Sequence, residues 1–390
     1  MESLFIFFII LLSVWFGVSV FYMLIYSITG LFYKSNKFKL QPELPSIAVL
    51  IPAYKEDAVI IHVAEEALTQ NYKGNFEVFI IADSLQAITL KKLDQLPINL
   101  IEVRFEKSTK AKALNLTMSK IKSKFDMAVV LDADNIMEND VLAIMANHYQ
   151  KGFMAMQGHR CAKNKDTRFA FIDAVSEEVN NHIYSKGPSA LKLSSRLAGS
   201  GMAFDYQLFK RLMKTIDAVG GFDKELELKI IKEGITIQYL DSAIVYDEKV
   251  SQSEVYAKQR TRWISAQYNY MIKTMPDAFL QLLKGKFDYF YKAFQLTLPP
   301  RLLLPGLLFI GSILLAVLGY YTMASIWISI FIANVIAYSI AIPAKLWTKD
   351  IWSGFLALPQ AFFLTFKLMF KLGGADKKFI HTPHTYPNKK

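Results

Sequence analysis

The sequence is short of cysteine: Cys161 stands alone among 390 residues. An internal disulfide and a cysteine metal cluster are both excluded, and the chain fits a reducing compartment such as the cytoplasm. No Gly-x-Gly-x-x-Gly follows the first strand-like run, which argues against a dinucleotide-dependent oxidoreductase. The six histidines show no metal-ligand spacing; His159 and His182 read as surface or packing residues. The net charge is +11. No basic–aromatic motif or zinc spacing accompanies it, so nucleic acid is not an expected partner. There is no internal repeat and no low-complexity tract. Charge is missing altogether from three long stretches, Leu4–Tyr33, Leu302–Tyr320 and Met323–Ile342.

What is present fits those gaps. The chain is 53% hydrophobic and 14% aromatic, with the apolar residues gathered towards both ends. That pattern implies a soluble domain held between membrane segments. Leu4–Tyr33 exceeds the roughly 20 residues needed to cross a hydrocarbon core. Lys34, Lys37 and Lys39 follow it, which predicts an uncleaved anchor with the next domain in the cytoplasm. The expected division is an anchor over 1–40, a globular domain over 41–275, and a C-terminal membrane region over 276–390. In the last, Phe279–Thr297 reads as an amphipathic interface helix. Leu302–Tyr320 and Met323–Ile342 read as a spanning hairpin. Ile351–Phe370, with Pro359 and Lys367 inside it, reads as an interfacial or re-entrant segment, a third span being the alternative. The localisation expected is the cell membrane, multi-pass, with the globular domain cytoplasmic.

Within 41–275 a linker, Gln41–Ser46, precedes a strand at Ile47–Ile51, stopped by Pro52. A helix follows over Ala58–Gln70. Strands are expected at Phe76–Ile81, Leu100–Phe105 and Met127–Leu131, and a helix from Lys110 to about Lys122. Ile235–Asp247 reads as a strand pair or strand–turn. Strands alternating with helices predict an α/β domain with a parallel sheet and helices on both faces.

The run ending at Leu131 breaks into Asp132-Ala133-Asp134. Ligands of open α/β sheets sit outside the carboxyl ends of the strands. Two carboxylates at such an end suit Mg²⁺ or another hard cation carrying a diphosphate; an Asp-rich turn is the plainer alternative.

An ordered set of motifs narrows the choice. Pro52–Asp57 (PAYKED), the strand ending at Asp83, Lys110–Asn115 (KAKALN), Leu131–Asn135 (LDADN), Ala198–Ala203 (AGSGMA), Phe222–Leu228 (FDKELEL) and Gln259–Trp263 (QRTRW) follow one another. Together they resemble a membrane-bound family 2 glycosyltransferase, the group of cellulose, chitin, hyaluronan and poly-N-acetylglucosamine synthases. The tail motif His381–His384 resembles that group more weakly. The resemblance covers about Ser46 to Gln267 and implies a cytoplasmic GT-A domain (a Rossmann-like nucleotide-diphospho-sugar transferase) flanked by transmembrane helices.

The resemblance also implies roles. Tyr54, Glu56 and Asp83 line the nucleotide pocket of a UDP-sugar, and Lys110 neutralises its diphosphate. Asp134 ligates Mg²⁺ or Mn²⁺, with Asp132 assisting or contacting the ribose. Gln259, Arg262 and Trp263 form the acceptor and diphosphate end. The family's base aligns with Glu225, a departure from its usual aspartate, and Asp223 is the alternative. The activity implied is inverting, metal-dependent transfer of a sugar to a growing polysaccharide, with extrusion a further step. Single addition to a lipid-linked acceptor, or nucleotide-sugar binding without catalysis, are the rival readings. Membrane lipids and other exopolysaccharide assembly proteins are the expected partners.

Overall fold

The computed structural model describes residues 2–35, 41–251 and 253–370. Lys37, Lys39, the basic tail and the His381–His384 motif lie outside the described residues. Helix α1 (Glu2–Gly30) opens the chain. Then come β1 (Ile47–Tyr54), α2 (Ile60–Leu68), β2 (Phe76–Asp83), α3 (Ala87–Leu93), β3 (Asn99–Val103), α4 (Lys110–Lys120) and β4 (Met127–Val130). The next elements are β5 (Ile136–Met137), α5 (Val141–Tyr149), β6 (Ala155–Ala162) and α6 (Arg168–Asn181). A π-helical turn at His182–Lys186 leads into α7 (Gly187–Ala190), β7 (Met202–Asp205), α8 (Tyr206–Met213), α9 (Phe222–Lys232) and β8 (Gln238–Asp247). Five helices finish the described chain: α10 (Ser253–Leu283), α11 (Phe287–Gln295), α12 (Leu303–Val317), α13 (Tyr321–Ala341) and α14 (Asp350–Met369).

The strands form one eight-stranded sheet in the order β3-β2-β1-β4-β7-β6-β8-β5. Alternation along β1 divides it between two cores. Ala48 and Leu50 face a layer with Leu114, Phe209 and Ile230, from α4, α8 and α9. Ile47, Val49 and Ile51 face Val63 and Met145, from α2 and α5. Each fully buried large aliphatic contributes about 1.5–3 kcal/mol, so the sheet centre is a rigid base for the loops at its rim.

The helices on both faces agree with expectation; the sheet's sense does not. β1 to β4 are parallel, but β7 runs antiparallel to both β4 and β6, and β5 antiparallel to β8. The sequence hides this because β7 is reached through the long α6–α7 excursion rather than a single crossover helix. Pro52 does not stop β1, which runs on to Tyr54. Pairing with β4 ends at Leu50 while pairing with β2 continues to Tyr54, so the proline lies where one side of the strand is already open. Ile235–Asp247 is one strand with a register shift against β6, not a pair.

Two helices are long and apolar enough to cross a membrane, Glu2–Gly30 and Tyr321–Ala341. The first predicted hairpin arm is shorter than expected, with α12 of 15 residues. The segment expected to be interfacial or re-entrant is a continuous 20-residue helix, α14, running through Pro359. It packs on α6, α10 and α12. The predicted interface helix is broken at Lys284–Lys286 between α10 and α11. The expected boundary at 275/276 falls inside α10, which continues through Pro276. α1 belongs with the C-terminal helices: Phe16, Val20 and Met23 share a core with Leu304, Leu308 and Trp327.

Candidate active site

The strand order places the change of direction between β1 and β4: β2 and β3 lie to one side of β1, β4 to the other. The crevice at the carboxyl ends of such a pair is where open α/β sheets bind ligands. A cavity of about 620 Å³ opens there.

One end of it is made by two strand ends in register. Tyr54 pairs with Asp83 in the β1–β2 ladder. Both strands leave through a left-handed residue, Lys55 at φ 57° and Ser84 at φ 60°. Two non-glycine residues in that sparsely allowed region mark loops held in set shapes, a feature that gathers at ligand sites. Ser84 Oγ donates to Asp83 Oδ1 at 3.0 Å, and Glu56 and Asp83 are both buried. Tyr54, Glu56 and Asp83 all line the cavity.

The Asp132–Asp134 loop lies beside them. Lys110, the first residue of α4, donates to Asp132 Oδ1 at 2.5 Å and to the Gly199 carbonyl at 2.8 Å. It thereby ties the acidic loop to the glycine turn that enters β7. Gly199 and Gly201 take φ 83° and 62°, a conformation few other residues tolerate. Asp134 is buried, and its Oδ2 accepts the Glu248 backbone N–H at 2.7 Å while Asn135 donates to Oδ1 at 3.2 Å. Asn135 Oδ1 in turn accepts the Asp132 N–H at 3.0 Å, closing the loop on itself. Asp132, Asp134, Asp247 and Glu248 line one space. Oxygen-only donors on a pre-formed loop suit a hard divalent cation such as Mg²⁺ or Mn²⁺.

The two candidate bases part company. Asp223 stands in the first turn of α9, after Gly221 at φ 71°, and lines the cavity. Burial raises its pKa above the ordinary aspartate range; Lys224 pulls the other way and Glu227 adds to the rise. Glu225 does not line that cavity. It turns to a second, smaller groove, where it pairs with Lys229 at 3.2 Å and accepts from Tyr270 at 3.3 Å. Residues two apart on a helix project in nearly opposite directions, so only one of the two can face the cavity. Glu225, the favoured base in the sequence, is the one turned away.

The long helix α10 crosses the open side. Gln259, Arg262 and Trp263 all line the cavity. Gln259 Oε1 is buried with no hydrogen-bond partner among the described residues. Arg262 lies in the fields of Asp132 and Asp223, while burial lowers its pKa. Trp263 is half exposed, with its ring 4.8 Å from the Arg260 guanidinium. Arg260 itself is spent on Asp173 of α6.

Sequence reasoning missed a buried ionic web beneath these residues. Arg160 pairs with Asp247 and donates to the Ala198 carbonyl at 2.5 Å. Arg196 pairs with Glu177 at 2.5 Å, and Lys249 with Glu177 and Asp247 at 3.4 and 3.0 Å. Its members come from β6, α6, β8 and two loops, so no local motif announces it. Of the surface and packing readings of His159, packing holds. His159 is buried between Asp241 and Glu178, at 2.8 and 3.0 Å. The potential ligand atoms of His159, Cys161 and Glu178 lie within 4.8 Å of one another. His159 and Cys161 share one face of β6, but Glu178 comes from α6, which spacing does not show. Lys345 neutralises Glu178 at 3.1 Å and Lys186 neutralises Asp241 at 2.8 Å. His182 Nε2–H donates to the Ser27 carbonyl of α1, 2.8 Å away.

Residues 45–266 match the family model described as "Glycosyltransferase like family 2". The chain belongs to that family. Residues 45–266 are thus its family 2 glycosyltransferase domain. Among curated proteins it is 24% identical over 263 residues to a probable glycosyltransferase of Bacillus subtilis, YdaM. The match covers 64% of this chain and 62% of that relative. It is 24% identical over 246 residues to a beta-monoglucosyldiacylglycerol synthase of Nostoc, covering 59% of this chain and 50% of that one. The chain thus spans between half and two thirds of these relatives. Among solved structures, a mannosyltransferase from Pyrobaculum calidifontis in complex with GDP-mannose and Mn²⁺ matches with a TM-score of 0.50 at 16% identity. The match covers 84% of this chain and 97% of the other, and shows that the two share the GT-A-like α/β fold.

Proposed function

We propose that this protein moves a sugar, with inversion, from a UDP-sugar to a hydroxyl group on a lipid-borne acceptor at the membrane surface. The observation that carries this reading is the extent of the cavity. It runs from Asp83 and Asp134 past Trp263 to Leu302, Ile342, Ile351, Phe355 and Leu358, the apolar faces of the C-terminal helices. A donor pocket that opens onto hydrocarbon-like walls suits an acceptor whose reactive head is polar and whose tail is apolar. The expectation of a growing polysaccharide needs a polar passage instead, and the walls beyond Gln295 favour a lipid.

In this reading Tyr54, Glu56 and Asp83 hold the nucleoside, and Lys110 and Arg262 face the diphosphate. Asp134 and Asp132 hold Mg²⁺ or Mn²⁺, which supplies Lewis-acid stabilisation of the leaving diphosphate. Asp223 takes the proton from the acceptor hydroxyl as that oxygen attacks the anomeric carbon. The dry surroundings that raise its pKa also make it a stronger base. Gln259 offers its buried amide oxygen to an acceptor hydroxyl, and Trp263 a flat apolar platform for a sugar ring. Membrane attachment through α1 and α13 places the apolar half of the cavity at lipid level.

The test is UDP release by the purified full chain in detergent with Mn²⁺, over a panel of UDP-sugars, with and without added membrane lipid extract. Release that requires the extract supports the reading. Sustained release that yields water-soluble polymer without the extract overturns it.

A further inference from the structure

Three of the arginines that line this cavity are answered by acids. Arg160 has Asp247, Arg196 has Glu177 and Arg260 has Asp173. Arg301 differs. It lines the same cavity at the entrance to α12, and among the described residues no carboxylate comes within 4.0 Å of it. Its guanidinium donates to the Ser176 carbonyl at 3.1 Å and the Ser176 hydroxyl at 2.9 Å. The Tyr184 ring lies 5.7 Å away. Its backbone carbonyl accepts from Tyr338 at 3.3 Å, pinning the α12 entrance to α13.

A charge in such a place is costly. Burial lowers the pKa of Arg301; Tyr184 and Tyr338 oppose this, and Arg260 and Arg196 add to it. Removing one partner of a buried ion pair typically costs several kcal/mol, because the remaining charge is uncompensated. A guanidinium also offers more donors than Ser176 takes up. The site therefore has an unused positive charge, donors in a planar fork, and apolar walls from Leu298, Leu302, Ile172 and Val175.

We infer that Arg301 is an anion subsite that reads a phosphate ester at the head of the acceptor's hydrocarbon chain. A planar fork of N–H groups matches phosphate oxygens two at a time. The inference rests on the lipid-acceptor reading and adds to it the chemical class of the head. Two sources share that chemistry and also carry a free hydroxyl, a glycerophospholipid and a polyprenyl phosphate that already bears a sugar. The donor diphosphate belongs at Lys110, Arg262 and the Asp132–Asp134 loop.

The experiment is equilibrium binding to the full chain in an uncharged detergent, comparing dioleoylphosphatidylglycerol, a sugar-bearing polyprenyl phosphate and uncharged dioleoylglycerol. Wild type, Arg301→Gln and Arg301→Lys are compared, each with UDP plus Mn²⁺ as an independent readout. At least one phosphate-bearing lipid is expected to bind wild type about tenfold or more tighter than dioleoylglycerol, the worth of a charge-assisted hydrogen bond. Arg301→Gln abolishes that preference, Arg301→Lys keeps part of it, and all three proteins bind UDP alike. Which phosphate lipid is preferred identifies the source. Equal binding of all three lipids to wild type, or a preference that survives Arg301→Gln, overturns the inference and leaves the lipid-acceptor reading standing. Binding of none of the lipids by a wild type that binds UDP overturns both. Loss of UDP binding in a folded Arg301→Gln reassigns Arg301 to the donor and overturns the inference.

Discussion

Asp223 and Glu225 stand two residues apart in the first turns of α9 and face different spaces, Asp223 the large cavity and Glu225 the groove of Lys229 and Tyr270. Asp223→Asn is expected to lower kcat by at least about a hundredfold, the usual worth of a positioned base. Glu225→Gln removes one partly exposed i,i+4 ion pair, worth about 0.3–0.5 kcal/mol, and leaves kcat within about twofold. Steady-state UDP release for the two variants checks this.

The same carboxyl gives a pH dependence with a definite sign. Its pKa is raised in the folded protein by burial. Below that pKa it carries the proton and is no base, so kcat falls as pH falls, with an acid limb above the ordinary aspartate pKa of about 3.9. For stability the sign is opposite to that of a salt-bridged acid. The folded state binds this proton more tightly than the unfolded one, so ionising Asp223 costs stability above its raised pKa. Asp223→Asn is thus expected to melt at the same temperature or higher at pH 7, while losing activity. Thermal melts beside the pH–rate profile separate this from simple misfolding.

Lys110 joins the acidic loop to the glycine turn through Asp132 and the Gly199 carbonyl. Lys110→Met leaves Asp132 and the donor diphosphate repelling one another. UDP affinity is expected to fall about tenfold or more, with little change in the melt. Calorimetric UDP titration measures it.

Asp134 is fixed by the Glu248 backbone N–H and by Asn135. Asp134→Asn keeps a side chain of the same shape but removes the charge a cation needs. The tightening of UDP binding by Mn²⁺ is expected to vanish, with metal-free UDP binding unchanged. Titrations with and without Mn²⁺ give the answer.

A packing prediction concerns α1. A Cβ on Gly187 would meet the Tyr26 carbonyl oxygen at 2.3 Å, and Thr29 donates to the Gly187 carbonyl at 3.2 Å. Gly187→Ala forces α1 off α7 and is expected to cost about 1–3 kcal/mol, as overpacking does. The thermal midpoint in detergent reports it.

The sequence showed its local features well. β1 and β4 were legible because each holds an unbroken apolar run, β2 because Val78–Ala82 is one, and the acidic loop because it ends such a run. Gln259, Arg262 and Trp263 were found through the family resemblance, and the structure brings them to one cavity. Long-range features stayed hidden. The antiparallel β7 pairs across a loop excursion that leaves no periodic trace. The direction each acid of α9 faces depends on the helix start at Gly221, which the family resemblance did not fix. Arg301 carried a faint signal, a single cation between Pro300 and the apolar run at Leu302, whose meaning appears only once Ser176 and the cavity walls are in place. The α14 helix was obscured by Pro359, which a helix packed on three others accommodates.

The most direct test of the central claim is mass spectrometry of the lipid product after incubation of the full chain with its UDP-sugar, Mn²⁺ and membrane lipids. The account predicts a lipid heavier by one glycosyl residue, formed by wild type and by Glu225→Gln but not by Asp223→Asn. A water-soluble polymer with unmodified lipid, or equal product from Asp223→Asn, would contradict it.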